Sequence, residues 1–155
     1  MNNYTIERDI EIEAPVEVVW RTITEPDLIR TWFSDVADIE ARPGAEGALT
    51  FRADSDAPHI VGITVVAADP PHRFSYRWVY PPGERATEAN STLVTFTLVA
   101  DGDARTRLRV VESGLELMEM TDDEKQQFFE DHRHGWQVQG DRLRDLFASG
   151  HSSSP

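Results

Sequence analysis

The sequence predicts an α+β domain in which a curved antiparallel sheet grips one long C-terminal helix. Three observations predict it. Thr121 to Ala148 (TDDEKQQFFEDHRHGWQVQGDRLRDLFA) reads as a helix whose residues Phe129, His132, Trp136, Leu143 and Phe147 share one largely apolar stripe. Upstream, six strand-like segments follow one another across tight turns with no helix between them, the pattern of an antiparallel meander. A further alternating strand opens the chain, so about seven strands with one apolar face meet a helix with one apolar stripe. A helix of this length spans roughly 40 Å at about 1.5 Å per residue. It cannot follow a strongly curved sheet along its whole length, so a cavity is expected where the two layers part.

The elements follow in order. From Tyr4 to Glu13, Tyr4, Ile6, Ile10 and Ile12 alternate with polar residues, which gives a half-buried strand; Arg8 interrupts its apolar side. Val16, Val19, Trp20 and Ile23 change to helical spacing, with Pro15 in the first turn. Thr24 is expected to cap a second short helix that buries Leu28, Ile29, Trp32 and Phe33. Strands are then expected at Val36–Ala41, Ala48–Ala53, Ile60–Ala68, Phe74–Tyr80, Thr92–Ala100 and Thr106–Ser113, separated by Gly-, Pro- and Asp-rich turns. Thr121 and Glu124 have the spacing of a capping box, and Asp122 and Asp123 place negative charge at the helix start. Gly135 and Gly140 each cost that helix about 1 kcal/mol relative to alanine, so either close approach of a strand or a ligand or a local irregularity of the helix is expected there. Ser149–Gly150 ends it. Residues 1–149 are expected to form one domain and 150–155 a frayed tail.

Composition narrows the function. The 155 residues carry a net charge of −13, which disfavours nucleic acid and anionic membrane surfaces. No run reaches membrane-spanning length and the N-terminus lacks an apolar signal core, so a cytoplasmic protein without membrane insertion is expected. With no cysteine there is neither a disulfide nor a thiolate site. No metal is expected: His132 and His134 fall on nearly opposite sides of the helix, and His59, His72 and His151 are scattered. No serine elbow, phosphate loop or dinucleotide fingerprint is present, so no cofactor is expected.

Five short stretches carry a resemblance, in one order along nearly the whole chain. They are Ala14-Pro15 with Val19-Trp20; Thr24-Glu25-Pro26-Asp27-Leu28 leading to Trp32; Asp69-Pro70-Pro71 with Phe74-Ser75-Tyr76-Arg77-Trp78; Thr106-Arg107-Leu108 to Glu112-Ser113-Gly114; and His134-Gly135-Trp136. In these the chain resembles the SRPBCC superfamily, with its START and birch-pollen-allergen type of fold. Within it the chain is similar to small bacterial proteins related to the C-terminal domain of the heat-shock-protein-90 ATPase activator. The resemblance implies a helix-grip fold around a cavity for a hydrophobic ligand, without implying one reaction. The activator's separate N-terminal domain has no counterpart in this sequence, so chaperone activation is not expected.

Two polar residues stand among apolar ones. Glu112 is in register with Leu108 and Val110, and Arg8 with Ile6 and Ile10. The first and last strands are neighbours in this fold, so an internal Arg8–Glu112 pair is expected, because a lone buried carboxylate costs several kcal/mol. The alternative role for Glu112 is to anchor a ligand's polar head. His132, one turn from Trp136, reads as a hydrogen-bonded core residue or a ligand contact. The cavity is expected to be lined by Arg8, Trp32, Phe33, Phe51, Tyr76, Trp78, Phe96, Glu112, Phe129, His132 and Trp136. The expected function is binding of a small apolar or aromatic molecule, as carrier or sensor, by a monomer or weak homodimer. The alternatives are a cyclase- or dehydratase-type enzyme, with Glu112 and His132 as acid–base groups, and a protein-interaction or co-chaperone-like module.

Overall fold

The computed structural model describes residues 4–80 and 82–148. The Ser149–Gly150 stop and the 150–155 tail therefore lie outside the described residues. Strands β1 (Ile6–Ile12), β2 (Val36–Asp38), β3 (Glu46–Phe51), β4 (His59–Asp69), β5 (Arg73–Val79), β6 (Ser91–Ala100) and β7 (Thr106–Ser113) form one sheet. Helices α1 (Val16–Thr24) and α2 (Pro26–Ile29) follow β1, and α3 (Asp122–Leu146) follows β7 after a single 3-10 turn at Leu115–Leu117. The sheet order is β1-β7-β6-β5-β4-β3-β2, antiparallel at every pairing. The meander thus runs outward from β7 to the β2 edge, and β1 closes the other edge. A register shift at Val65/Ala67 interrupts the β4–β5 ladder, an irregularity of the kind that bends a strand.

Alternation decides which face is wet. Along β7, Thr106, Leu108, Val110 and Glu112 are buried while Arg107 and Arg109 are exposed. On the outer face those arginines meet the acidic residues of β1, Arg109 with Glu7 and Asp9 and Arg107 with Glu11, and just beyond the strand ends Arg105 meets Glu13. Such exposed pairs contribute little to stability, and the ladder's main effect is to discourage the wrong register. The inner face carries the core, in which Phe74, Phe96, Leu98 and Leu108 pack against Ile12 of β1 and Val19 and Ile23 of α1. Trp32 closes this core and donates from Nε1 to the Thr22 carbonyl at 3.0 Å.

The structure corrects several details. Pro15 is the N-cap of α1 rather than a residue of its first turn. Thr24 does not cap α2: its Oγ1 donates back to the Trp20 carbonyl inside α1, and Glu25 takes the cap position before Pro26. Strand β2 ends at Asp38, short of the expected Ala41, and the next residue, Ile39, is buried in the core. Helix α3 has the expected capping box, with Thr121 Oγ1 accepting from Glu124 N and Glu124 Oε1 accepting from Thr121 N. Its stripe is only partly covered, however: Trp136, Gly140 and Leu143 are buried, whereas Phe129 is half-buried between the main core and Tyr4, which it meets edge-on at 5.6 Å. Among the described residues no helix is long and apolar enough to cross a membrane.

The expected Arg8–Glu112 pair does not form. The β1–β7 register sets Ile6 opposite Glu112 and Arg8 opposite Val110. Arg8 instead reaches α3, donating to Asp141 Oδ1 at 2.6 Å and to the Gln137 carbonyl at 3.0 Å. The Arg8 contact holds Asp141 below its ordinary value. These bonds and Gly140 clamp the C-terminal half of α3 onto β1. A Cβ at Gly140 would lie 2.9 Å from Ile10 Cδ1 and 3.4 Å from Arg8 Cζ. Gly140→Val is accordingly expected to lower stability by about 1–3 kcal/mol through overpacking, read as a reduced urea midpoint at unchanged m-value.

Candidate functional site

Because α3 is fastened to β1 at its C-terminal half, its N-terminal half stands away from β3, β4 and β5. The gap is a pocket of about 660 Å³. Phe51 of β3, His59 of β4 and Trp78 of β5 form the sheet-side wall, Phe33 from the turn after α2 forms the inner end, and Phe128, His132, Gly135, Trp136 and Gln139 form the helix side. The last group recurs at i, i+4, i+7, i+8 and i+11, one face of α3. Arg52, Tyr80 and Asp131, all exposed, stand at the rim. Arg52 adopts a left-handed backbone (φ 56°), which is uncommon for a non-glycine residue and ends β3 at the pocket. The rings form a continuous set: Phe33 stacks on Trp136 at 5.3 Å, and Phe51 lies 5.4 Å from Phe33 and 5.6 Å from Trp78.

Beneath this wall lies Glu112, which is 2% exposed. Its carboxylate accepts from Thr92 Oγ1 at 2.6 Å and from Trp136 Nε1 at 2.8 Å. His132 Nδ1 lies 2.9 Å from both of its oxygens. Burial pushes this carboxyl up, but the charge and hydrogen bond of His132, with Thr92 and Trp136, outweigh it and hold it below its ordinary value. The imidazole is clasped in turn, stacked on Phe128 at 3.8 Å and meeting Trp78 edge-on at 5.2 Å. His59 is lowered by burial and by the nearby Arg52 and His132. Two buried polar atoms have no hydrogen-bond partner among the described residues: Tyr76 Oη and Gln139 Oε1. Burial, and then Glu112, push the Tyr76 hydroxyl well up.

Of the residues expected to line the cavity, Phe33, Phe51, Trp78, His132 and Trp136 face it together. Glu112 lies one layer below, touching His132 and Trp136. Trp32, Tyr76 and Phe96 are spent on the core around a void of about 10 Å³ on the inner side of Phe33. Arg8 and Phe129 belong to the helix–strand clamp and the Tyr4 cluster. The reading from sequence omitted Arg52, His59, Tyr80, Met120, Phe128, Asp131 and Gln139. Tyr80 and Phe128 had a signal, the first in the alternation Phe74–Tyr76–Trp78–Tyr80 and the second one turn before His132. For His59 the signal was its place opposite Phe51, which only the pairing reveals.

Solved structures share this architecture. Protein MLL2253 from Mesorhizobium loti is 24% identical with a TM-score of 0.73, the match covering 92% of this chain and 95% of that one. The Aha1 dimer from Colwellia psychrerythraea is 19% identical with a TM-score of 0.72, covering 94% and 97%. DynU16, from the dynemicin biosynthetic locus, is 23% identical with a TM-score of 0.72; the match covers 96% of this chain but 49% of that one. At these identities the likeness is one of fold. No curated protein matches the chain. The sequence model of the family described as activator of Hsp90 ATPase homolog 1-like protein matches residues 13–148, and the chain belongs to that family.

Proposed function

We propose that the chain binds a small apolar or aromatic molecule in the pocket between the sheet and α3, as a carrier or sensor. The observation that carries this reading is the pocket itself: about 660 Å³ walled by Phe33, Phe51, Trp78, Phe128 and Trp136, with His132, held from behind by Glu112, at its floor and Arg52, His59, Asp131 and Gln139 as its other polar groups. Ligand sites commonly have this make-up, roughly 300–1,000 Å³ of mostly apolar wall with few polar groups. The location of DynU16 in a biosynthetic locus agrees with a small-molecule role. A second reading, an enzyme of the cyclase or dehydratase kind, is favoured by the Glu112–His132 contact at the pocket floor, since a carboxylate-held imidazole is suited to moving protons.

Gly135 supplies the test. A Cβ there meets nothing within 4 Å, and the residue lines the pocket. Gly135→Leu fills the cavity while adding about 1 kcal/mol of helix propensity. Wild-type protein is expected to show a saturable rise in melting temperature with one class of apolar aromatic compound. The variant is expected to melt no lower and to lose that rise. A variant that binds the same compounds as tightly as wild type contradicts the assignment of the pocket.

A further inference from the structure

The polar floor of the pocket specifies the ligand further, on the premise that the pocket binds a ligand at all. We propose that the pocket selects aromatic molecules bearing a hydroxyl, which donates its hydrogen bond to Nε2 of His132, and that Glu112 is the positioning residue that makes this nitrogen an acceptor.

An ionised carboxylate only accepts, and Glu112 takes the Thr92 hydroxyl and the Trp136 indole N–H. Nδ1 of His132, 2.9 Å from both carboxylate oxygens, must therefore carry a proton. In the neutral imidazole, the form that a bound hydroxyl would select, the opposite nitrogen Nε2 is then an acceptor, whereas in the imidazolium it would donate. It has no hydrogen-bond partner among the described residues. The ring cannot turn away to find one, because Phe128 covers its face and Trp78 meets it edge-on. With Nδ1 directed inward to Glu112, Nε2 lies on the outward edge of a side chain that lines the pocket and is 17% exposed.

The surroundings favour a hydroxyl over an anion. The negative charge of Glu112 lies directly behind the imidazole, so a carboxylate at Nε2 would be repelled, while the opposite charges of Asp131 and Arg52 at the exposed rim offset one another. A neutral hydroxyl supplies the missing donor without adding charge. The rings of Phe33, Phe51, Trp78 and Trp136 present a surface suited to a flat partner. An aromatic hydroxyl satisfies both conditions: its ring lies among theirs and its O–H reaches Nε2.

The test uses 2-naphthol, its methyl ether 2-methoxynaphthalene, and 2-naphthoate, titrated calorimetrically into the full chain. Naphthol is expected to bind wild type roughly 5–10-fold more tightly than the ether, the effect of one buried hydrogen bond, and more tightly than naphthoate. In His132→Phe the naphthol-to-ether ratio is expected to fall to about 1. Equal binding of naphthol and ether by wild type, or tightest binding of naphthoate, overturns the hydroxyl anchor and leaves the pocket reading standing. Binding of none of the three by folded wild type overturns both. Should His132→Phe fail to fold, long-range ¹H–¹⁵N NMR of wild type decides. The free protein must show His132 protonated at Nδ1, and naphthol but not the ether must shift Nε2. An Nε2–H tautomer in the free protein overturns the role given to Glu112.

Discussion

Replacing Glu112 by leucine is expected to destabilise the protein by about 3–5 kcal/mol, the cost of breaking a buried charge cluster from one side. The magnitude follows from what stays behind. Thr92 Oγ1, Trp136 Nε1 and His132 Nδ1 all address this carboxylate, and all remain after the substitution. Exchanging a whole buried pair for apolar groups can be neutral, but removing one member leaves its partners without a counterpart. Urea unfolding of wild type and Glu112→Leu measures the difference; a loss below about 1 kcal/mol contradicts the account of this cluster. The pH dependence has a definite sign. The folded-state value of Glu112 lies below its ordinary value of 4.5. Its ionised form therefore contributes stability above that value, and the contribution is lost as pH falls through the lowered folded value. The melting curves of wild type and Glu112→Gln are expected to be furthest apart near neutrality and to converge in acid. A gap that widens as pH falls contradicts the assignment.

Trp136→Ala is expected to cost a further large amount, about 3–5 kcal/mol for a buried indole. Trp136 has two functions, and a second variant separates them. Its ring is stacked on Phe33 at 5.3 Å and meets Phe96 edge-on at 5.8 Å, and its Nε1 donates to Glu112 at 2.8 Å. Trp136→Phe keeps an aromatic ring but loses the donor and part of the ring, so it is expected to cost at least about 1.5–3 kcal/mol, the range for hydrogen bonds to a charged group. The remainder of the alanine effect belongs to packing. Equal losses in the two variants, read from urea midpoints, contradict this division.

Much of this architecture was legible because local chemistry and the global fold agree. The strand Thr106–Ser113 has the bounds its alternation gives, and Thr121 with Glu124 forms the expected capping box. The inward direction of Glu112 followed from its register with Leu108 and Val110. Its partners did not follow, because pairing across the sheet is set by strand register and by where α3 lands. A shift of two residues separates Arg8 from Glu112 across the β1–β7 ladder, and the helix supplies each with another partner: Asp141 for Arg8 and His132 for Glu112. The pocket was legible as an expectation but not in outline. Aromatic residues that look alike in sequence divide by depth: Trp32 and Phe96 are sealed in the core, and Phe33 and Trp78 form the cavity wall. That division depends on where α3 lands on the sheet, which the Arg8–Asp141 bond and the close approach at Gly140 establish beside the pocket's end at Gln139.

Native mass spectrometry of the protein purified from its own host tests the central claim most directly. The account predicts a one-to-one adduct of a small aromatic molecule on wild type that is absent from Gly135→Leu prepared in the same way. Wild type that arrives without an adduct, and whose melting temperature no aromatic or lipid compound raises, would contradict it.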